Sequence, residues 1–211
     1  MRNNFKYCAY LIVVMVFSVA NAGSYEDFFI AVKRDDGDAV RGLVQRGLDP
    51  NSRSPEGQTA LHLAFRDQAH RVAQALLASP GVDVNATNGS DETPLMMAAL
   101  RGDLAWAQRL IERGAKVHKD GWSPLHYAAT GPEPKLVALL LERGAPVDAL
   151  SPNGNTPLMM AARYGAEGSV DRLLARGADK RLRNARGFGA SDNAKLSGRE
   201  FLLPRLDATA R

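Results

Sequence analysis

A short motif that recurs four times constrains the fold of this chain more than any other feature. The copies begin at Gln58, Glu92, Trp122 and Asn155 and read QTALHLA, ETPLMMAA, WSPLHYAA and NTPLMMAA. The second residue of each copy is Thr or Ser, which suits a helix N-cap, and in three copies Pro follows at the first helical position, where its missing N–H is not needed. Each copy therefore predicts the start of a helix.

The copies return at a nearly constant period. Steps of 34, 30 and 33 residues separate the capping hydroxyls, and a further step of 33 reaches Gly189 in a degenerate copy, GFGASDNA. A second apolar-periodic segment and a Gly-Ala-Asp-like stop follow each copy, as at Gly144-Ala145 and Gly177-Ala178-Asp179. A period near 33 with a T-P-L-H-x-A motif resembles the ankyrin-repeat family.

This resemblance implies a mainly α fold, an ankyrin-repeat solenoid of stacked helix-turn-helix units with short projecting β-hairpin loops. Short helices are marginal alone in water, so stacking must stabilise them. The shortened step before Ser123 predicts a stunted hairpin there. The expected division is a signal peptide at 1–22 and one ankyrin-repeat domain at 23–211, made of an N-terminal cap repeat at 23–56, repeats at 57–90, 91–120 (short), 121–153 and 154–186, and a C-terminal cap at 187–211.

The first 22 residues have the pattern of a secretory leader. Arg2 and Lys6 precede an apolar run over 9–19, and Ala20-Asn21-Ala22 is a small-residue cleavage site. A membrane anchor is the alternative, but the run is shorter than the roughly 20 residues that span a bilayer. The only cysteine, Cys8, lies before this run, so the mature chain would contain none. We expect an exported protein, periplasmic in the first instance and otherwise secreted.

Charge argues against nucleic acid as a partner. Removing the leader, with its two basic residues, lowers the formal net charge from +4 to +2. Basic residues do concentrate between Arg176 and Arg211, where a solvated terminal cap competes with a patch for phosphate or anionic lipid. We expect a monomer that binds a protein of unknown identity, with no nucleic acid and no membrane contact after leader cleavage.

The chain has few candidates for chemistry. His62 and His126 occupy the histidine position of the motif, where the resemblance implies a hydrogen bond to the capping hydroxyl and to the adjoining turn rather than catalysis or metal binding. Met96 and Met159 take the same position in the other copies, where an adaptable apolar filler competes with a Cu(I) ligand. Since no nucleophile, base and orienter can be assembled, we expect no enzymatic activity, catalytic residue, cofactor or metal.

Two polar stretches leave alternatives open. The acids at Asp35, Asp36 and Asp38 fit either a calcium loop or a turn at the positive end of the next helix. Asn85 and Asn88 each begin an N-glycosylation pattern, which matters only in a eukaryotic secretory pathway, and otherwise are polar hairpin residues.

The resemblance also implies where a partner would bind. Ankyrin repeats use the residue before the capping hydroxyl and the two residues after the alanine pair. Carried onto this sequence, the expected partner-binding residues are Arg66, Asp67, Glu92, Leu100, Arg101, Trp122, Asn155, Arg163, Tyr164 and Phe188. For Trp122 the alternative is that its side chain simply covers the stunted hairpin beside it.

The expected function is a non-catalytic protein-protein interaction module that acts outside the cytoplasm through its concave groove and hairpin tips. It would serve as an accessory or protective partner of an exported enzyme. The alternatives are a toxin-immunity or inhibitor protein, and a membrane-surface adaptor that uses the basic C-terminal cap.

Overall fold

The computed structural model describes residues 23–207, so the expected leader and the last four residues lie outside the described part. Within it, the first compact unit ends at Asp83 and the second begins at Val84. The first unit contains α1 (23–33), α2 (Gly37–Gln45), α3 (Ala60–Arg66) and α4 (His70–Ala78). The second contains α5 (Pro94–Arg101), α6 (Leu104–Glu112), α7 (Pro124–Thr130), α8 (Pro134–Glu142), α9 (Pro157–Arg163), α10 (Glu167–Ala175), α11 (Ala190–Leu196), a 3-10 turn (Glu200–Leu202) and α12 (Leu203–Leu206).

The predicted helix starts are confirmed. The hydroxyls of Thr59, Thr93 and Thr156 accept hydrogen bonds from the third helical N–H, and Pro takes the first position of α5, α7 and α9. The degenerate copy also starts a helix, α11, although Gly189 has no side chain. There the Asp192 carboxylate reaches back instead and accepts from the Gly189 N–H at 2.8 Å.

The acidic turn between α1 and α2 caps helices within the first unit. Asp36 is the N-cap of α2, and its carboxylate accepts from the Ala39 N–H at 3.0 Å. Asp35, held at φ 53°, accepts from the Val72 N–H of α4 at 2.9 Å. These bonds satisfy N–H groups that the first turn of a helix leaves unpaired. The turn interpretation of this stretch is therefore confirmed.

In the second unit, α5, α7, α9 and α11 pack side by side, while α8 also packs against α6 and α10. The motif leucines Leu95, Leu125 and Leu158 are at most 1% exposed, so they form the centre of each interface. The approach is close enough to require glycine at the ends of two first helices. A Cβ on Gly131 would lie 2.7 Å from the Ala99 carbonyl oxygen, and one on Gly165 would lie 1.9 Å from that of Ala129.

A ladder of side-chain amides and carboxylates joins the stops of successive repeats within each unit. In the first unit the Asn51 amide donates to Gly81 O at 2.8 Å and accepts from Asp83 N at 2.7 Å. In the second unit Asn85 makes the same pair of bonds with Gly114 O and Lys116 N, and Asp148 accepts from Asp179 N at 3.1 Å.

One connection of this ladder is missing, and the residues at both of its ends differ from those of the other repeats. His118 stands where Asn or Asp would be expected. The residue that would donate to it is Pro146, which has no N–H. A carboxamide at residue 118 would have no backbone donor to accept from, which explains why the ladder residue is dispensable at this point.

The projecting loops are tight turns. Four of them are closed by a backbone bond of 2.8–3.0 Å, from Ser54 N to Gln58 O and at the equivalent residues of the loops ending at Glu92, Asn155 and Phe188. Across residues 23–207 the only β pairing is one antiparallel bridge, between Arg53 and Thr59.

The shortened loop before α7 consists of bends and is held by Lys119, whose ammonium contacts the Asp91 carboxylate. Between residues 23 and 207, no helix has both the length and the apolar character that a membrane span requires.

The asparagines of the two glycosylation patterns form hydrogen bonds within the fold. Besides the ladder bonds of Asn85, the Asn88 amide donates to the Glu92 carboxylate at 2.8 Å and accepts from the N–H groups of Ser90 and Glu92. Both amide nitrogens are thus engaged inside the molecule. This favours the interpretation of these asparagines as polar hairpin residues.

Candidate interaction groove

One side of the second unit carries two adjoining cavities. The first helices α7 and α9 present residues three apart towards it, because residues i and i+3 of a helix share a face. The loops before these helices add their last side chains. The polar cavity, about 330 Å³, is lined by Trp122, Asn153, Asn155, Met160, Arg163, Tyr164, Asn184, Arg186, Phe188 and Asn193. The apolar cavity, about 180 Å³, is lined by Leu100, Trp122, His126, Tyr127, Thr130 and Met160.

An amide network fixes the wall of the polar cavity. The Asn184 amide donates to Asn155 Oδ1 at 2.7 Å, and Asn155 Nδ2 donates to Asn153 Oδ1 at 3.2 Å. Asn184 Oδ1 in turn accepts from the backbone N–H groups of Arg186 and Phe188, both at 3.0 Å. Because each amide is held by another group, the loop tips that carry Arg186 and Phe188 have a fixed position.

Aromatic contacts fix the wall of the apolar cavity. The Trp122 ring packs edge-on against His126 at 5.3 Å and Tyr127 at 6.5 Å between centroids. The Tyr127 hydroxyl donates to Glu92 Oε1 at 2.6 Å. Burial raises the pKa of Tyr127, and the hydrogen bond to Glu92 raises it further, so the phenol is neutral at physiological pH. Trp122 is therefore held in place from one side while it lines both cavities.

The histidine behind Trp122 has a structural role. His126 is fully buried, and its Nδ1 contacts the Ser123 hydroxyl at 2.9 Å and accepts from the Ser123 N–H at 3.2 Å. Its Nε2 lies 2.9 Å from the Asn155 carbonyl oxygen, which can only accept, so Nε2 carries the proton. Burial lowers the pKa of His126, although the bond to Asn155 opposes this. The expected bonds to the cap and the adjoining turn are confirmed.

The residues at the equivalent position of the other motif copies also have a structural role. In the first unit His62 Nδ1 lies 2.7 Å from the Thr59 hydroxyl. Met96 and Met159 are at most 1% exposed, and their sulfurs accept from the N–H groups of Thr93 and Thr156 at 3.3 and 3.5 Å. The methionine filler interpretation is thus confirmed. No cluster of three or more His, Cys, Asp or Glu that could hold a metal occurs among residues 23–207.

The structure brings together six of the residues expected at the partner surface. Leu100 lines the apolar cavity, and both Leu100 and Tyr164 are exposed, at 38% and 56%. Trp122 is only partly exposed. The six, across the two cavities, are Leu100, Trp122, Asn155, Arg163, Tyr164 and Phe188.

The other four expected residues line neither cavity. Glu92 supports Tyr127 from behind, and Arg101 is exposed at the last position of α5. Arg66 and Asp67 belong to the first unit, where they form an ion pair with an N–O distance of 2.7 Å. The side chain of Asn155, although it lines the polar cavity, is used to hold neighbouring amides.

Sequence reasoning missed part of the lining, and the repeat period could have identified much of it. Tyr127, Met160 and Asn193 follow one another at steps of 33 residues, each as the fourth residue of its helix. Arg186 follows Asn153 at the same step. The positions transferred from the family lay before the cap and after the alanine pair, so this column of residues within the helices was left out.

Comparison with known proteins agrees with this architecture. A family model described as ankyrin repeats in three copies matches residues 28–120 and 95–184. The chain belongs to the ankyrin-repeat family. Ankyrin repeats are protein-interaction modules, and this fits the expectation that the chain is not an enzyme.

Several curated proteins are similar to the repeats. The B-cell lymphoma 3 protein homolog of Mus musculus is 36% identical over 154 residues, covering 70% of this chain and 34% of that protein. The human SH3 and multiple ankyrin repeat domains protein 2 is 37% identical over 152 residues, covering 69% and 8%. Human neurogenic locus notch homolog protein 4 is 41% identical over 97 residues, covering 44% and 5%. The chain thus spans about a third or less of the length of these relatives.

Proposed function

We propose that this ankyrin-repeat chain is a non-catalytic module that binds a protein partner through the groove formed by the two cavities of the second unit and the loop tips beside them. The observation that carries this proposal is the set of aromatic and arginine side chains around the polar cavity, Trp122, Tyr164, Phe188, Arg163 and Arg186. Trp, Tyr and Arg are enriched at binding hot spots.

Preorganisation supports the same surface. Trp122 is backed by His126 and Tyr127, and the loop tips are tied by the amide network. A surface that is already ordered loses less conformational entropy when a partner binds. Trp122 and the loop backbone beside it would therefore meet the partner in positions that are set before binding.

We also propose that this binding takes place outside the cytoplasm, with the chain as an accessory or protective partner of an exported enzyme. The support is the leader pattern over 1–22 and the lack of cysteine after Cys8. N-terminal sequencing of exported protein should give a mature chain beginning at Gly23. An intact Met1 species in the membrane fraction would contradict the proposal.

A membrane adaptor acting through the basic C-terminal cap receives less support. Arg205 pairs with Asp171 and Glu167, each at 3.0 Å, and the Arg199 guanidinium donates to the carbonyls of Ala161 and Ala162. Cations that are already engaged gain less from an anionic lipid surface. Toxin immunity differs from the accessory role only in the partner, so the identity of the partner will decide between them.

The groove is tested with variants of its two central aromatic residues. A partner recovered from the exported fraction and identified by mass spectrometry is titrated against the wild type, Trp122→Ala and Tyr164→Ala. Each variant should lose about 2 kcal/mol of binding free energy, as hot-spot truncations do. Phe201→Ala is the matched control, because Phe201 is 54% exposed and lines neither cavity.

The helicity of both variants should stay near that of the wild type, and Tyr164→Ala should keep its melting temperature because Tyr164 is 56% exposed. Trp122→Ala loses ring contacts with His126 and Tyr127, so its melting temperature should fall modestly while the fold persists. Full affinity in both Trp122→Ala and Tyr164→Ala would exclude this groove. A loss that appears only together with unfolding would exclude it as well.

A further inference from the structure

We propose that the groove recognises an extended segment of the partner that carries an apolar side chain and an Asp or Glu carboxylate about three residues apart. The apolar side chain enters the apolar cavity and the carboxylate enters the polar cavity. This inference rests on the proposed function and specifies the chemistry of the partner.

The charge of the polar cavity selects the carboxylate. Arg163 and Arg186 line it, and no Asp or Glu is among the described residues that line it. Neither guanidinium forms an ion pair within the described part of the chain, whereas Arg183, in the same loop as Arg186, is paired with Asp192. Guanidinium groups bind carboxylates through two parallel hydrogen bonds. The fold thus leaves two positive charges at the rim of a concave site without an internal counter-ion.

The surroundings of these two arginines increase their effect. The Arg163 guanidinium lies over the Tyr164 ring, 5.2 Å from its centroid, which restricts its orientation. The Arg186 backbone is held through Asn184. A partly enclosed site screens charges less than open water does. A carboxylate placed here would meet one guanidinium, that of Arg163, oriented by an aromatic ring, and a second, that of Arg186, carried by a backbone that is held in place.

The adjoining cavity requires a different group. Its lining is dominated by Leu100, Trp122, Tyr127 and Met160, and the Tyr127 hydroxyl is already bound to Glu92. Burying an unpaired polar group against such a lining is unfavourable, and burying an apolar side chain is favourable. Trp122 and Met160 line both cavities, so the two bound groups are neighbours.

The repeat spacing sets the separation of the two groups. The apolar cavity lies towards α5 and α7 and the polar cavity towards α9 and α11, about one helix packing distance further along, roughly 8–10 Å. An extended chain advances about 3.3–3.6 Å per residue, so this distance corresponds to about three residues. Both side chains must face the groove. Residues two or four apart share a face in a strand, and residues three apart share a face in a polyproline II segment, which has three residues per turn.

The first experiment pans the protein against a phage library of random peptides of about twelve residues, long enough to cross both cavities when extended. Enriched sequences should combine a Leu, Met or aromatic residue with an Asp or Glu two to four positions away. Because the peptides are fused through their carboxyl end, only side-chain carboxylates can account for the enrichment. No enrichment, or enrichment without acidic residues, would overturn the inference.

The second experiment titrates a synthetic peptide of the most enriched sequence against arginine variants. The double variant Arg163→Gln/Arg186→Gln should bind about tenfold or more weakly, the effect of losing charge-assisted hydrogen bonds. It should also lose most of the dependence of affinity on salt. The control Arg143→Gln/Arg172→Gln removes the same charge from exposed positions, at the residue that caps the end of α8 and within α10, and should bind like the wild type.

The two experiments separate this inference from the proposed function. If the peptide loses affinity with Trp122→Ala but not with Arg163→Gln/Arg186→Gln, the groove binds partners and the carboxylate assignment is wrong. If both double variants weaken binding equally, the effect is one of net charge and the assignment is also wrong. A loss of both affinity and salt dependence in Arg163→Gln/Arg186→Gln, with neither lost in the control pair, supports it.

Discussion

The copies of the motif at α7 and α9 have the same backbone geometry and different chemistry. At α7, Ser123 is capped by an imidazole that makes a second bond, to the Asn155 carbonyl of the next loop. At α9, Thr156 is capped by the Met159 sulfur, and no such bond to the following loop is possible from a thioether. The helix start thus tolerates either side chain, while a bond from this position to the next loop requires histidine.

This difference teaches that one motif position has two functions. The first function, filling a buried slot and accepting from the cap N–H, is met by sulfur or nitrogen. The second, a bond from this position to the following loop, is met only by a donor at the far side of the ring. In this chain the loop tied by His126 is the one that carries Asn155, a wall of the polar cavity.

The largest expected effect concerns the buried leucine that the α7 and α9 copies of the motif share. Leu125→Ala and Leu158→Ala each remove a buried leucine that lies between helices, so each should cost about 2–5 kcal/mol of unfolding free energy. Their denaturant midpoints should shift to a similar degree, because both leucines are at most 1% exposed. An unchanged midpoint for either would show that it does not lie at a contact between repeats.

The next largest effect concerns the glycines that follow α7 and α9. Gly165→Ala should destabilise by on the order of 1–3 kcal/mol, and more than Gly131→Ala, because its Cβ would lie closer to a backbone oxygen, 1.9 Å against 2.7 Å. Gly89→Ala is the control, since no atom lies within 4 Å of a Cβ there. Thermal melts of the three variants give the order, and equal melting temperatures would contradict it.

The pH dependence of the unfolding free energy tests the chemical difference between His126 and Met159. Because the pKa of His126 is lower in the folded state, the unfolded chain takes up a proton first as the pH falls below about 6.5, its ordinary value. Stability contributed by His126 is therefore complete above that pH and is lost below it, by at most about 1.4 kcal/mol per pH unit.

His126→Met should flatten the stability profile between about pH 7 and pH 5. It should also cost about 0.5–1.5 kcal/mol at high pH through the lost bond to Asn155. Urea melts at several pH values measure both effects. A profile as steep as that of the wild type would assign the acid sensitivity to other groups.

The smallest expected effect is the reverse exchange. In Met159→His the imidazole can accept from the Thr156 N–H and donate to the carbonyl of Phe188, the residue 33 positions after Asn155. Stability at about pH 8 should change by less than about 1.5 kcal/mol, as for other exchanges of similar volume, and a new acid sensitivity should appear. Urea melts at about pH 8 and pH 5 check this, and strong destabilisation at both would mean that the slot accepts only an apolar side chain.

The sequence was sufficient for everything that depends on local chemistry and on the repeat period. Hydroxyl caps followed by proline located the starts of the first helices, and the period extended this to α11, where no hydroxyl remains. The acidic turn at Asp36 and the roles of His126 and Met159 were also predicted, because each is defined by neighbours within a few residues or one repeat.

Contacts between repeats were decided only by the tertiary structure. The family pattern placed Glu92 and Asn155 at the partner surface, yet Tyr127 and Asn184 engage their side chains from positions 35 and 29 residues away. The exemption of His118 from the ladder likewise depends on Pro146 in the next repeat. Whether a polar side chain is available to a partner depends on what lies opposite it across a repeat interface, and a local motif contains no information about that neighbour.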